Sequence, residues 1–369
     1  MNDLLRMACA ALMAVALSGC AELSYYVQAA RGQMSLLADA RPIDRWLSDP
    51  DVKDDLKGRL RRVRDIREFA ARELSLPDNA SYKSFARLDR PFVMWNVVAT
   101  PELSLKPESW CFPVAGCVDY RGYYDQHDAQ AFARQLRERG LDVRVSGVPA
   151  YSTLGWFNDP VLSTFIHYPE AELARLLFHE LAHQVAYAAG DSQFNESFAT
   201  AVEEFGVERW LEMRGDKEVR TAYLAFQRRR EDFLSLLEGY RSRLEDLYQS
   251  PYSDAQKRQR KAALLTDMQD DYAALKQAWG GYTGYDRWFS EPMSNAHFAL
   301  ISTYHDLVPA FRALLKEKAA LPAFYQAVRA LARADKDQRR LMLERYMSMA
   351  QPAASAVSRS VANQAVATQ

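Results

Sequence analysis

The pattern of apolar and polar positions predicts helices at the start of the chain and strands after them. Apolar residues recur at helical spacing over 24–76, which predicts two or three amphipathic helices. The pattern changes in "PFVMWNVVAT" at 91–100, where β-branched and aromatic residues between two prolines predict a strand. Similar short runs predict further strands over 116–124, 141–148 and 150–157.

Helical patterns dominate the second half of the chain. The stretch from Pro169 to Gly190 begins with a proline and acidic residues and ends at a glycine, which predicts one helix; a second is predicted over 195–214. Residues 216–279 are mostly charged and helix-forming with a break at 250–254, which predicts a long helical hairpin. Together these elements predict an α+β fold: a small, mainly antiparallel sheet, then a helical C-terminal part.

The same patterns divide the chain into five predicted segments. These are a signal peptide at 1–19, an N-terminal helical segment at 20–90, a core with the strands and the helix that follows them at 91–215, a helical C-terminal part at 216–349, and a disordered tail at 350–369. The net charge of −1 does not point to a nucleic-acid partner, so none is expected.

The N-terminus predicts export. Residues 8–18 form an apolar run that is too short to span a bilayer, and Arg6 precedes it. The tetrapeptide "LSGC" at 17–20 resembles the lipobox of bacterial lipoproteins, which implies cleavage before Cys20 and lipid attachment to it. With Ala21 next, the resemblance implies anchoring in the outer membrane, on the periplasmic side. The alternative is ordinary secretory cleavage near an unmodified cysteine.

Two cysteines remain once Cys9 leaves with the signal and Cys20 takes lipid. In an exported protein, Cys111 and Cys117 are expected to form a disulfide. They are alternatively zinc ligands, although no other histidine or cysteine lies close to them in the sequence.

The stretch "LLFHELAHQ" at 176–184 carries the clearest chemistry. His179 and His183 are four positions apart, so they share one helix face and can bind one zinc ion. Glu180 lies beside that face, where it can take a proton from zinc-bound water. A helix with chance histidines is the alternative interpretation.

The next predicted helix, "NESFATAVEEFG", supplies a third ligand. Gly190 lets the chain reverse, so the two helices can face each other and Glu196 can reach the ion held by the two histidines. We therefore expect one Zn²⁺ per chain. Thr200 and Glu203 follow Glu196 at four and seven positions on the same face, and are expected to hydrogen-bond to the ligands.

H-E-L-A-H followed by N-E-S-F-A resembles the gluzincins, zinc peptidases with a glutamate ligand on the following helix. With "VPAYSTLGWFNDPVLST", "GDSQFNESFATAVEEFG" and "WCFPVAGCVDYRGYY", the chain is similar to a narrower family of bacterial aminopeptidase lipoproteins. The resemblance implies a zincin-like core, zinc at His179, His183 and Glu196, and Glu180 as general base. One departure is that only 12 residues separate His183 from Glu196, fewer than in the well-studied gluzincin aminopeptidases.

The resemblance also suggests where a substrate lies. "AYSTLGWF" at 150–157 stands where zincins have an edge strand that pairs with a peptide, with Tyr151 and Gly155 as cleft residues. An ordinary buried aromatic strand is an equal alternative. Tyr304 is the expected donor to the oxyanion, because a later helix can bring it over the cleft. Glu203 is a candidate to bind a free α-amine.

The expected function is that of an exported, lipid-anchored zinc metallopeptidase acting on peptides in the cell envelope. Aminopeptidase activity is implied by the resemblance alone, and an envelope endopeptidase is the close alternative. A binding or scaffold protein with a structural zinc site is a further alternative, which the charged 216–279 hairpin supports. Glu180 discriminates between enzyme and scaffold, because a structural site needs no base.

Overall fold

The computed structural model describes residues 25–112, 116–299 and 307–350. The fold is α+β and mostly helical, in agreement with the sequence prediction. The helices are α1 (25–39), α2 (Ile43–Ser48), α3 (Asp54–Arg72), α4 (Gln126–Glu138), α5 (Glu170–His183), α6 (Ser192–Arg214), α7 (Lys217–Gln249), α8 (Asp254–Ala278), α9 (Val308–Lys318), α10 (Leu321–Arg333) and α11 (Lys336–Ala350). The strands are β1 (Arg41–Pro42), β2 (Ser84–Ala86), β3 (Met94–Pro101), β4 (Trp110–Phe112), β5 (Gly116–Val118), β6 (Arg121–Tyr123), β7 (Leu141–Val148) and β8 (Val161–Leu162).

The described residues form three small sheets. In the largest, β3 lies between β6 and β7, and both pairs are antiparallel. In the second, β2 lies between antiparallel β1 and parallel β8. In the third, β4 pairs with β5, and the predicted disulfide joins Cys111 to the directly opposite Cys117. The single strand predicted over 116–124 is therefore two strands in different sheets.

The two faces of β3 meet different surroundings, because side chains alternate along a strand. Trp95 and Val97 face α4 and join a hydrophobic cluster with its buried residues. Met94 and Asn96 face the opposite way and line a cleft. This alternation places one polar residue of the central strand at the cleft wall.

The α5–α6 pair lies at the centre of the main hydrophobic core. That core runs from Leu36 in α1 to Leu343 in α11, so residues of all three predicted middle segments contribute to it. Trp210 of α6 packs edge-to-face on Phe69 of α3, and Phe198 of α6 contacts Phe311 of α9. Helices from both ends of the chain thus hold α5 and α6 in place.

The segment 150–157 is a loop, so the strand predicted there is wrong. Leu154 and Gly155 both adopt the left-handed region, with φ of 57° and 82°, which a β-ladder cannot accommodate. The backbone N–H and hydroxyl of Thr153 bond to the buried Asp159 carboxylate, at 2.8 Å and 2.9 Å, and fix this turn. The loop offers no strand edge for a peptide to pair with.

Helix α5 ends at His183, seven residues before the predicted end at Gly190. Tertiary partners replace the helical hydrogen bonds beyond it. Asn195 holds the N–H and C=O of Ala188 at 2.7 Å and 2.9 Å, and Arg329 donates to the carbonyl of Val185. A buried amide from the next helix therefore holds the segment that follows α5, and Gly190 does not mark the end of the helix.

Helices α7 and α8 are the two long helices that the pattern over 216–279 predicts, with the break at 250–253. Within the described residues, every helix is too short or too polar to traverse a lipid bilayer. The predicted signal peptide with Cys20, the candidate Tyr304 and the predicted tail beyond residue 350 lie outside the described residues.

Candidate metal centre and cleft

The candidate ligands come from two consecutive helices. His179, Glu180 and His183 lie in the last turns of α5, and Glu196 lies in the second turn of α6. Asp191 caps α6 by accepting the N–H of Phe194, and its carboxylate also pairs with the buried guanidinium of Arg339 in α11. The start of the ligand helix is therefore fixed by its own cap and by the last helix of the fold.

Three donor atoms of these side chains converge. The Nε2 atoms of His179 and His183 are 3.1 Å apart. The carboxylate of Glu196 lies 3.3 Å from the first nitrogen and 3.7 Å from the second. Ligand atoms around a tetrahedral zinc ion are separated by about 3.4 Å, given bonds of roughly 2.0–2.2 Å. The arrangement fits one small divalent cation without rearrangement.

Glu203 orients the first histidine. Its fully buried carboxylate lies 2.8 Å from His179 Nδ1, so Nδ1 carries a proton and Nε2 is the ring nitrogen that faces Glu196. Arg175 donates to the same carboxylate at 3.0 Å, and Arg230 of α7 lies 3.6 Å away. Burial alone would raise the pKa of Glu203, but Arg175 and His179 lower it to about 2, so Glu203 is ionised.

The electrostatics of the centre favour a cation. Burial alone would lower the pKa of His179, but its hydrogen bonds to Glu196 and Glu203 raise it to about 10 in the metal-free protein. The carboxylates of Glu196 and Glu203 thus stabilise a positive charge at this point, and a bound divalent cation would supply that charge. Burial lowers the pKa of His183 to about 4, which leaves this ring neutral, as a metal ligand must be.

Glu180 is a carboxylate placed for proton transfer. It is only 8% exposed, yet it lines the cleft beside the candidate ligands. Burial raises the pKa of Glu180 to about 7. The charge of His179 lowers this pKa, and the negative charge of Glu196 raises it further. A carboxylate with such a pKa can accept and return a proton near neutral pH.

The cleft over this centre has a volume of about 370 Å³. Its walls come from three parts of the chain: the β3–β7 sheet, the segment after β5 with Asp119 and Tyr120, and the loop that begins at Tyr151. The α5 and α6 side chains form the remaining wall. The geometry therefore combines a candidate metal centre, a buried base and a cleft of peptide-residue size.

A family model described as "Putative aminopeptidase" matches residues 24–343 of the chain. The chain belongs to this aminopeptidase family. The match covers both helices of the centre and every wall of the cleft, so it supports a peptidase-like function for this site. No curated protein and no solved structure matches the chain.

The structure brings some of the predicted site residues together and separates others. Glu203 bonds to His179 as expected, but it is buried away from the cleft and cannot receive a substrate amine. Thr200 is buried in α6 one turn after Glu196, and its hydrogen bond to a ligand stays a prediction. In the described part of the cleft, Tyr120 is a further lining residue with a hydroxyl group.

The two predicted cleft residues on the 150–157 segment behave differently. Tyr151 lines the cleft, but its hydroxyl is bonded to that of Tyr124 at 2.6 Å. Gly155 lies against Gln184. Its positive φ explains why glycine occupies this position, so no close approach of a substrate backbone is needed to explain it. Sequence reasoning missed Asn96 and Asp119, because they lie on separate segments with no shared spacing.

Proposed function

We propose that this chain is a zinc-dependent peptidase of the gluzincin type, with a zincin-like core built on α5 and α6. The observation that carries the proposal is the convergence of three donor atoms, from His179, His183 and Glu196, beside a buried carboxylate that lines a cleft. These three residues would hold one zinc ion per chain. The family match supports hydrolysis of peptides as the reaction.

A zinc ion held by His179, His183 and Glu196 would lower the pKa of a bound water and polarise the scissile carbonyl. The protein's own residues then move one proton. Glu180 takes it from the attacking water, holds it in the buried site, and delivers it to the leaving amine when the C–N bond breaks. Glu203 keeps the Nδ1 proton of His179 in place and so keeps the other ring nitrogen available throughout.

The family description favours an aminopeptidase, and we propose this activity. An envelope endopeptidase would use the same centre and the same base. The two differ in whether the substrate must present a free N-terminus, so a pair of peptides that differ only by N-acetylation separates them.

The test measures metal content and hydrolysis together. We expect one zinc per wild-type chain, peptide hydrolysis that a chelator abolishes and added zinc restores, and loss of both in Glu196→Ala. Glu212→Ala serves as the control, since it removes an exposed carboxylate from the same helix. A folded wild-type protein that stays metal-free after zinc is supplied would overturn the proposal.

The proposed setting is the periplasmic face of the outer membrane, with the lipid anchor on Cys20. The support is the "LSGC" tetrapeptide and the disulfide, which persists in oxidising compartments. Metabolic labelling with a radioactive fatty acid should mark the wild type and leave Cys20→Ala unlabelled. Equal labelling of both would exclude this anchor.

A further inference from the structure

The sheet wall of the cleft carries a polar side chain that lacks a partner. Asn96 lies in the middle of β3, between Met94 and Val98 on the same face. Its Oδ1 atom is buried and has no hydrogen-bond partner within the part of the chain that the structure describes. Buried carbonyl oxygens are nearly always bonded in folded proteins. An acceptor left open at a cleft wall therefore points to a ligand that donates.

A carboxylate lies in the same cleft, after β5. Asp119 accepts one hydrogen bond, from the hydroxyl of Ser109 to Oδ1 at 2.7 Å. Within the described ranges no lysine, arginine or histidine lies within salt-bridge distance of this carboxylate. The serine hydroxyl thus holds one oxygen of this carboxylate, and no described ion pair includes it.

In the described lining of the cleft, carboxylates outnumber cationic side chains. The lining residues include the carboxylates of Asp119, Glu180 and Glu196, and in the described chain none of them is a lysine or an arginine. A zinc ion would balance Glu196 and its neighbours on the α5–α6 side. The Asp119 side would still attract a second cationic group.

The size of the cleft restricts what that group can be. A volume of about 370 Å³ is near the small end of ligand pockets, which run from roughly 300 to 1,000 Å³. It accommodates about one or two residues of a peptide. The cationic group every unmodified peptide presents at its first residue is the α-ammonium, which has three N–H donors for the two open acceptor groups.

We propose that Asp119 and Asn96 bind the free α-ammonium group of the substrate and so make this chain an aminopeptidase. The inference rests on the proposed function, since it names the substrate class of the same site. Asp119 supplies the charge, and the Asn96 amide oxygen supplies a neutral acceptor at the sheet wall. A peptide without a free N-terminus would leave both acceptors desolvated and unpaired.

Binding is measured separately from hydrolysis, so that the two proposals can fail independently. The probe is Ala-Ala-amide with a free N-terminus, compared with its N-acetyl form. Calorimetry uses the zinc-supplied Glu180→Gln protein, in which the proposed base is absent. We expect the free-amine form to bind at least tenfold more tightly, since a charge-assisted hydrogen bond is worth a factor of roughly 10–100.

Two substitutions localise the effect. Adding Asp119→Asn removes the charge and keeps the shape, and should erase most of the preference for the free amine. Asn96→Leu should weaken free-amine binding by a smaller factor. The control is Asp89→Asn, which removes an exposed carboxylate that does not line the cleft and should leave both affinities unchanged. Zinc content and thermal melting show whether each variant folds.

The outcomes separate the two proposals. A free-amine preference that Asp119→Asn removes supports this inference, even if the wild type hydrolyses no peptide and the proposed function falls. Equal binding of the free and acetylated probes overturns it, even if the wild type cleaves peptides. A preference that survives Asp119→Asn also overturns it, because another group would then hold the amine.

Discussion

The two sides of the His179 ring lie in opposite surroundings. On the α7 side, Nδ1 meets Glu203, which is fully buried and also bonded to Arg175. On the cleft side, Nε2 faces Glu196. The sheet wall of the cleft carries Asn96, whose Oδ1 atom has no hydrogen-bond partner among the described residues. The first side surrounds Nδ1 with buried partners and can only hold the ring. The second leaves charge and hydrogen-bonding capacity open, which is what a site that binds and transforms a ligand requires.

The largest expected effect is on the open side. Glu180→Gln removes the base while keeping the shape of the side chain, so kcat should fall by roughly 10²–10⁴-fold. Zinc content and the free energy of unfolding should stay near wild type, because Glu180 is not among the proposed ligands. Steady-state kinetics with metal analysis measures this. Unchanged turnover would remove the catalytic role of Glu180.

The next effect is on the side of the His179 ring that faces Glu203. Glu203→Ala leaves Arg175 and the His179 Nδ1 proton without their acceptor, so the free energy of unfolding should fall by about 3–5 kcal/mol. Zinc affinity should fall by roughly 10–100-fold, because the histidine loses its orienting partner. Urea denaturation and competition with a zinc chelator measure the two quantities.

The neighbouring Glu204 provides the matched control for that variant. It pairs with Arg312, whose side chain is 60% exposed, at 2.6 Å. Such a pair contributes about 0–1 kcal/mol, so Glu204→Ala should lower the free energy of unfolding only slightly and leave zinc affinity unchanged. Equal losses in the Glu203 and Glu204 variants would mean that the buried cluster has no special part in the centre.

A smaller effect is expected at the loop between the two ligand helices. Asn195→Ala leaves the N–H and C=O of Ala188 buried and unpaired, so the free energy of unfolding should fall by about 1–3 kcal/mol. Since Asn195 precedes Glu196, zinc affinity should fall with it. Asn195→Asp keeps one acceptor and should recover part of the lost stability. Equal stability of the two variants would argue against a role of the Asn195–Ala188 hydrogen bonds.

The smallest effect concerns the long hairpin. Arg230 of α7 is 25% exposed and lies 3.6 Å from Glu203, which Arg175 already neutralises. Arg230→Gln should therefore lower the free energy of unfolding by less than about 1 kcal/mol and zinc affinity only a few-fold. A loss as large as that of Glu203→Ala would show that α7 supports the centre as strongly as α5 does.

The sequence predicts the candidate ligands because local geometry constrains them. Helical spacing puts His179 and His183 on one face, and a short loop with Gly190 brings Glu196 back to them. The strands β3 and β7 follow from their alternating patterns and are found close to the predicted bounds. These parts of the fold depend on neighbours in the sequence.

The parts that sequence reasoning missed depend on contacts that the local pattern of apolar and polar residues does not show. The 150–157 segment has the composition of a strand, but Asp159 and the left-handed Leu154 turn it into a loop. The segment that follows α5 is held by Asn195, a residue of the next helix. Asn96 and Asp119 come together only when β3 and the segment after β5 meet in the folded chain.

The buried pair of Arg339 and Asp191 has a consequence for the timing of assembly. It links the start of the ligand helix to a residue that the ribosome adds 148 positions later. A growing chain contains His179, His183 and Glu196 well before it contains the contact that fixes α6. This support for the ligand helix can form only after Arg339 has been added, so it is completed late in synthesis.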